Sequence, residues 1–207
     1  MELPGVSGQI MNQEKARIYL LNKKVLFPHS AQAVILRNTV ASSELKTGDK
    51  IITYPLRNIL DIFLIKRRIS TLAEITEVSI NEKQIKLQIK GLARIRITGI
   101  KGFREASYEP VHYAPVKNEG AMTKELRVKA QELIFLINVD ESDRLIALMN
   151  FLVDLNQICD FIANYFILDN RIRIILLNQT DITTRCENLI DTIDALIDKF
   201  RSRGENQ

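Results

Sequence analysis

The residues best suited to bind a metal or act as a nucleophile are few: His29, His112, Cys159 and Cys186. A zinc site needs further Cys, His or carboxylate ligands at short spacings, and none accompanies either histidine. The cysteines have neither metal-ligand nor CxxC spacing and lie in apolar surroundings, so they read as reduced core residues, with a structural disulfide as the minor reading. No G-x-x-x-x-G-K-[ST] phosphate loop and no G-x-S-x-G nucleophile elbow occurs. Gly99-Ile100-Lys101-Gly102 reads as a turn after a strand, and Glu74 with Glu77 as solvated surface. Basic residues suggest a different chemistry. Lys66-Arg67-Arg68 and the alternating Lys86, Lys90, Arg94, Arg96 and Lys101 could contact phosphates. Trp is absent, however, and the nearest aromatics are Phe63 and Phe103, too few for base stacking. The residues therefore point away from catalysis, metals and cofactors, and towards reversible binding.

The elements that must position such a surface divide the chain in two. All five prolines and six of the eight glycines precede residue 120, and none of either lies between Ala121 and Arg203. Proline breaks helices and glycine weakens them, so Val116 to Thr123 separates turn-rich from helix-permissive sequence. Charge divides with it, at +8 for residues 1–120 and −4 for the remainder. The halves could face one another, meet oppositely charged partners, or self-associate through this asymmetry.

Residues 1–15 read as a flexible arm, and 16–116 as a mostly β domain. Gln84 to Lys90 alternates polar and apolar residues, placing Ile85, Leu87 and Ile89 on one buried face. Asn81-Glu82-Lys83 makes a hairpin back to Ala73–Val78, and Gly91 marks a bulge or bend. Phe27-Pro28 ends a strand, and one helix fits around Thr39 to Lys46. Residues 121–203 read as a helical bundle: Thr123–Val139, Ser142–Leu155, Gln157–Ile167, Asn170–Leu177 and Ile182–Arg203. In the last of these, Cys186, Leu189, Ile193 and Ile197 share an apolar stripe, with Thr180 or Asp181 as the cap. No apolar run spans a bilayer and no signal peptide is visible, so a cytoplasmic location is expected.

Three stretches together resemble one family. Tyr19 to His29, ending Val25-Leu26-Phe27-Pro28-His29, resembles the L-P-L-R-[DN]-x-V-[LVF]-[FY]-P-[GH] opening of the Lon protease N-terminal domain. Gly91-Leu92-Ala93-Arg94-Ile95-Arg96-Ile97 resembles its G-L-x-R-x-[RK]-I. Asp154 to Ala163, with Cys159-Asp160-Phe161-Ile162-Ala163, is similar to its D-x-x-x-[LI]-[AC]-D-x-I-A helical segment. Leu20, Asn22 and Lys23 depart from the opening motif, and the region after Tyr54 lacks the family's acidic, proline-rich loop. The resemblance implies an α+β fold, a PUA-like β pseudo-barrel followed by a C-terminal helical bundle. It further implies a free-standing, non-catalytic LON domain without the ATPase and Ser-Lys peptidase, related to proteolysis through substrate recognition. Unfolded or hydrophobic protein segments are the expected partners, with RNA binding by the basic half as the alternative and an unrecognised hydrolase third. Tyr54, Leu56, Ile59, Leu60 and Phe63 are the candidate binding residues, because they gather apolar side chains with few turn residues. Arg94 and Arg96 are expected to form ion pairs or protect a sheet edge.

Overall fold

The computed structural model describes residues 14–37, 44–58, 68–102, 104–137 and 142–204. Six strands form one mixed sheet: β1 (Glu14–Asn22), β2 (Ala31–Arg37), β3 (Lys50–Leu56), β4 (Ile69–Ile80), β5 (Gln84–Lys101) and β6 (Glu105–Pro110). The strand order is β2-β5-β4-β3-β1-β6, and β5 also pairs with β6, so the pairings return on themselves while β2 hangs on β5 alone. Only β1 and β3 run parallel; the other pairs are antiparallel. The circuit of strands is not a clear barrel.

The alternating sequence forms the expected hairpin. Ile80 faces Ile85, and the Asn81 side chain accepts hydrogen bonds from the Lys83 and Gln84 amides, at 3.1 and 2.7 Å. Ile85, Leu87 and Ile89 are all buried. Each contributes about 1.5–3 kcal/mol of apolar burial, which fixes the register because a one-residue slip would turn all three outward. The irregularity expected at Gly91 is present: Ala73 faces Gly91 while Leu72 faces Ala93, leaving Leu92 as the extra residue.

One expectation changes. β1 ends at Asn22, five residues before Phe27, because Lys23 takes a positive φ of 54° and turns the chain out of the ladder. Phe27-Pro28 therefore lies in the β1–β2 connection. The helix expected near Thr39 to Lys46 falls mostly outside the described residues, and Glu44 to Lys46 are not helical.

Five helices follow among the described residues: α1 (Glu119–Ile137), α2 (Ser142–Phe151), α3 (Leu155–Tyr165), α4 (Asn170–Asn178) and α5 (Ile182–Gly204). Asp154 and Asp169 cap α3 and α4 through side-chain hydrogen bonds to first-turn amides. Asp181 accepts from the Thr184 amide at 2.8 Å to start α5. The stripe of α5 packs inward, with Cys186, Leu189, Ile193 and Ile197 buried. No helix among the described residues is long and apolar enough to cross a membrane.

The sheet carries two apolar clusters of its own, whereas the helical cluster also includes Val25 and Phe27 from the β1–β2 connection. The helices therefore close over a loop of the sheet half.

Candidate docking surface and the latch beneath it

The turn Phe27 to Ser30 is held on three sides. Ser30 Oγ donates to the Phe27 carbonyl at 2.7 Å and accepts from the Phe27 amide at 3.2 Å. The His29 amide donates to the Gly91 carbonyl at 2.9 Å, and the Gly91 amide to the Ser30 carbonyl at 2.8 Å. Thr71 Oγ1 donates to the Leu26 carbonyl at 2.6 Å. His29 adopts a left-handed φ of 62°. Gly91 lies so close that an added Cβ would sit 2.3 Å from the Phe27 oxygen. A backbone atom cannot swing aside as a side chain can, so Gly91→Ala is expected to lower stability by about 1–3 kcal/mol in urea titration. An unchanged midpoint would show that the turn yields freely.

This turn delivers the Phe27 ring into the helical core, where the guanidinium carbons of Arg94 and Arg173 lie 6.0 and 5.6 Å from its centroid. Arg173 also donates to the Val25 carbonyl at 3.0 Å and to Asn164 at 3.1 Å. Beside them, Arg94 on β5 reaches across to Asp160 on α3 in a two-pronged ion pair with both contacts at 2.6 Å. Its Nε donates to the Leu177 carbonyl at 3.1 Å, at the C-terminal end of α4. All three Arg94 nitrogens thus have acceptors. Burial works to lower the Arg94 pKa, but the Asp160 carboxylate outweighs it and holds the group above its ordinary value. The second and third sequence motifs therefore meet at one buried carboxylate–guanidinium fork, and Gly91 from the second motif seats the turn from the first. Arg94 and Arg96 both pair, as expected, but differently: Arg96 lies 3.6 Å from Glu109 at a half-exposed site.

Above this latch the helices present apolar side chains to solvent. A cleft of about 290 Å³ lies between the Pro28–Ser30 turn and helices α2 and α3, lined by Leu148, Leu152, Phe161 and Tyr165, with Gln157 and Asn164 as polar partners. A second groove, about 440 Å³, runs between α1, α5 and the α3–α4 connection, lined by Leu133, Ile137, Phe166, Leu196 and Phe200. Tyr165 lines both. Nearby, the α3–α4 connection exposes Leu168 at 90%, the α2–α3 connection Val153 at 85%, and the end of α2 Phe151 at 82% of full exposure. These exposed groups, together with the two clefts, make this face a candidate contact surface. No group of three or more His, Cys, Asp or Glu that could hold a metal gathers among the described residues. The chemistry this surface supports is apolar contact with a polar rim.

Of the binding residues singled out in the sequence, two are described, and neither lines these clefts. Tyr54 and Leu56 are core residues of the sheet, 1% and 9% exposed, and the Tyr54 hydroxyl accepts from Arg68 at 3.0 Å. Both anchor their segment instead of presenting it. Ile59, Leu60 and Phe63 lie outside the described residues. His29 forms the turn and borders the cleft, whereas His112 is exposed on the connection before α1. Among the row of basic residues, Arg94 turns inward and leaves the surface. This apolar face was not singled out in the sequence. One signal was available, the apolar Leu168 in a connection, where polar residues are the rule.

The arrangement is that of a binding domain, a mixed sheet roofed by helices. The fold is similar to that of the N-terminal domain of Mycobacterium avium complex Lon protease, with a TM-score of 0.70 at 18% identity, covering 87% of this chain and 98% of that one. The family model of the ATP-dependent protease La (LON) substrate-binding domain matches residues 15–195, and the chain belongs to that family. Comparison with curated protein sequences finds no match.

Proposed function

We propose that this chain is a non-catalytic recognition module that docks segments of other proteins through the apolar surface around Tyr165. The observation that carries this reading is the pair of apolar grooves sharing Tyr165, flanked by the near-fully exposed Leu168. Membership of a substrate-binding family supports it. Unfolded or hydrophobic segments are the partners such a surface suits, because each apolar group removed from water adds about 25 cal/mol per Å² while a polar rim sets orientation. The segment from Tyr54 to Phe63 contributes to docking, in this reading, through Ile59, Leu60 and Phe63. Its PUA-like sheet serves as the scaffold.

Binding of fluorescent unfolded casein tests this. Tyr165→Ala combined with Leu168→Asp is expected to weaken binding at least about tenfold, with the circular dichroism spectrum unchanged. Wild-type binding should survive added salt. Retention of labelled RNA that falls steeply with salt, without casein binding, would sink the proposal.

A further inference from the structure

The neighbour of the latch is incompletely satisfied. Arg185, the fourth residue of α5, is only 1% exposed. Its Nη1 donates to Asp160 Oδ1 at 3.4 Å, an oxygen already engaged by Arg94 at 2.6 Å. Among the described residues its Nε and Nη2 have no hydrogen-bond partner. These two nitrogens are adjacent, and together they form one straight edge of the guanidinium fork. Such an edge fits two oxygens of one carboxylate or phosphate. The Tyr113 ring lies over the guanidinium at 5.5 Å and comes from the connection between β6 and α1.

Charge reinforces the geometry. Two arginines share one buried carboxylate, which leaves an excess positive charge in the interior. Asp181, which caps α5, stands exposed, with its oxygen engaged by the Thr184 amide. Arg185 also sits in the first turn and a half of a 23-residue helix, at the positive end of its dipole. Burial first, and then the Arg94 charge, push its pKa below the ordinary value. Evolution rarely leaves a cation in such a place unless something accepts its protons, because an unpaired buried charge costs several kcal/mol.

We propose that the free Nε–Nη2 edge of Arg185 is the floor of a small-anion site that takes a ligand with two acceptor oxygens on one centre, a phosphate or a carboxylate. Tyr113, stacked over the guanidinium face, holds the fork in place so that its edge is presented to the ligand. The bound anion balances the charge of the Arg94–Asp160–Arg185 cluster and completes its hydrogen bonds. It thereby ties α5 to the junction between sheet and helices. This proposal does not depend on docking around Tyr165, although Asp160 also lines that cleft.

Titration calorimetry on the full chain in a zwitterionic buffer, with inorganic phosphate and with acetate as probes, tests the site. Saturable binding of one anion per chain is expected, with a Kd below about 1 mM. Phosphate alone binding identifies a phosphate ligand, and acetate binding as well extends the class to carboxylates. Arg185→Gln should weaken binding at least tenfold, while the exposed Arg171→Gln leaves it unchanged. Should Arg185→Gln fail to fold, Arg185→Lys keeps the charge but lacks the fork, and it too should bind at least tenfold more weakly. The melting temperature of the wild type should rise with anion concentration, and that of Arg185→Lys should not. Absence of saturable binding of either anion to folded wild type overturns the proposal, as does equal binding by the lysine variant. A crystal structure grown in phosphate that shows only water on the Nε–Nη2 edge overturns it as well.

Discussion

Asp160→Ala should destabilise the protein by about 3–5 kcal/mol, because it strands two buried guanidinium groups without their shared carboxylate. Asp160 is 2% exposed and accepts from Arg94 at 2.6 Å through both oxygens and from Arg185 at 3.4 Å. The loss is large against the 5–15 kcal/mol of a typical domain, so a clear fall in the urea midpoint is expected. Asp160→Asn should fall between, since an amide oxygen still accepts from Arg94 but carries no charge. Arg185→Met, by contrast, removes the poorly satisfied cation and should cost less than about 1 kcal/mol, as buried ions replaced by apolar groups of similar volume often do. Equal losses for Asp160→Ala and Arg185→Met would contradict the account of the cluster as short of negative charge.

The second large effect is expected from Phe27→Ala. Phe27 is fully buried, belongs by sequence to the β1–β2 connection, and packs by position within the helical core. Truncation leaves a cavity and removes the ring between Arg94 and Arg173, at a cost of about 3–5 kcal/mol. The melting temperature should drop by on the order of 10 °C for a chain of this size. Because the ring joins sheet to helices, helical ellipticity at 222 nm should begin to melt before the near-ultraviolet signal of the sheet tyrosines. A single coincident transition with an unchanged midpoint would show that Phe27 is not the join.

Much of the fold was legible because its rules are local. Alternation from Gln84 to Lys90 fixed which face is buried, and Asn81 supplied the turn chemistry. The three- and four-residue steps of α5 gave its stripe, and Asp181 its start. The candidate site was less legible because it depends on partners distant in sequence. Arg94 on an alternating strand reads as exposed, and only the approach of α3, 66 residues away, takes it inside. Asp160 within the apolar run Ile158–Ala163 was the visible clue, since a carboxylate there needs a buried cation. Tyr54 illustrates the converse. An apolar cluster in a strand-and-loop segment looks the same whether it faces the core or a partner, and β3 placed it in the core. Leu168 was legible only as a breach of the habit that connections are polar, and the exposure of Phe151 and Val153 not at all, since both read as part of the Ser142–Leu155 helix.

The path of β1 constrains the order in which the molecule is assembled. β1, the first of the described strands, is wedged between β3 and β6, so it has both neighbours only after residue 110 has been synthesised. The Arg173 contact to Val25 waits longer still, closing a separation of 148 residues. During translation one edge of β1 therefore stays unpaired until β6 has been made, although β3 is available much earlier. A nascent chain of this kind is exposed to aggregation for an extended interval and completes its architecture late, through contacts of high sequence separation.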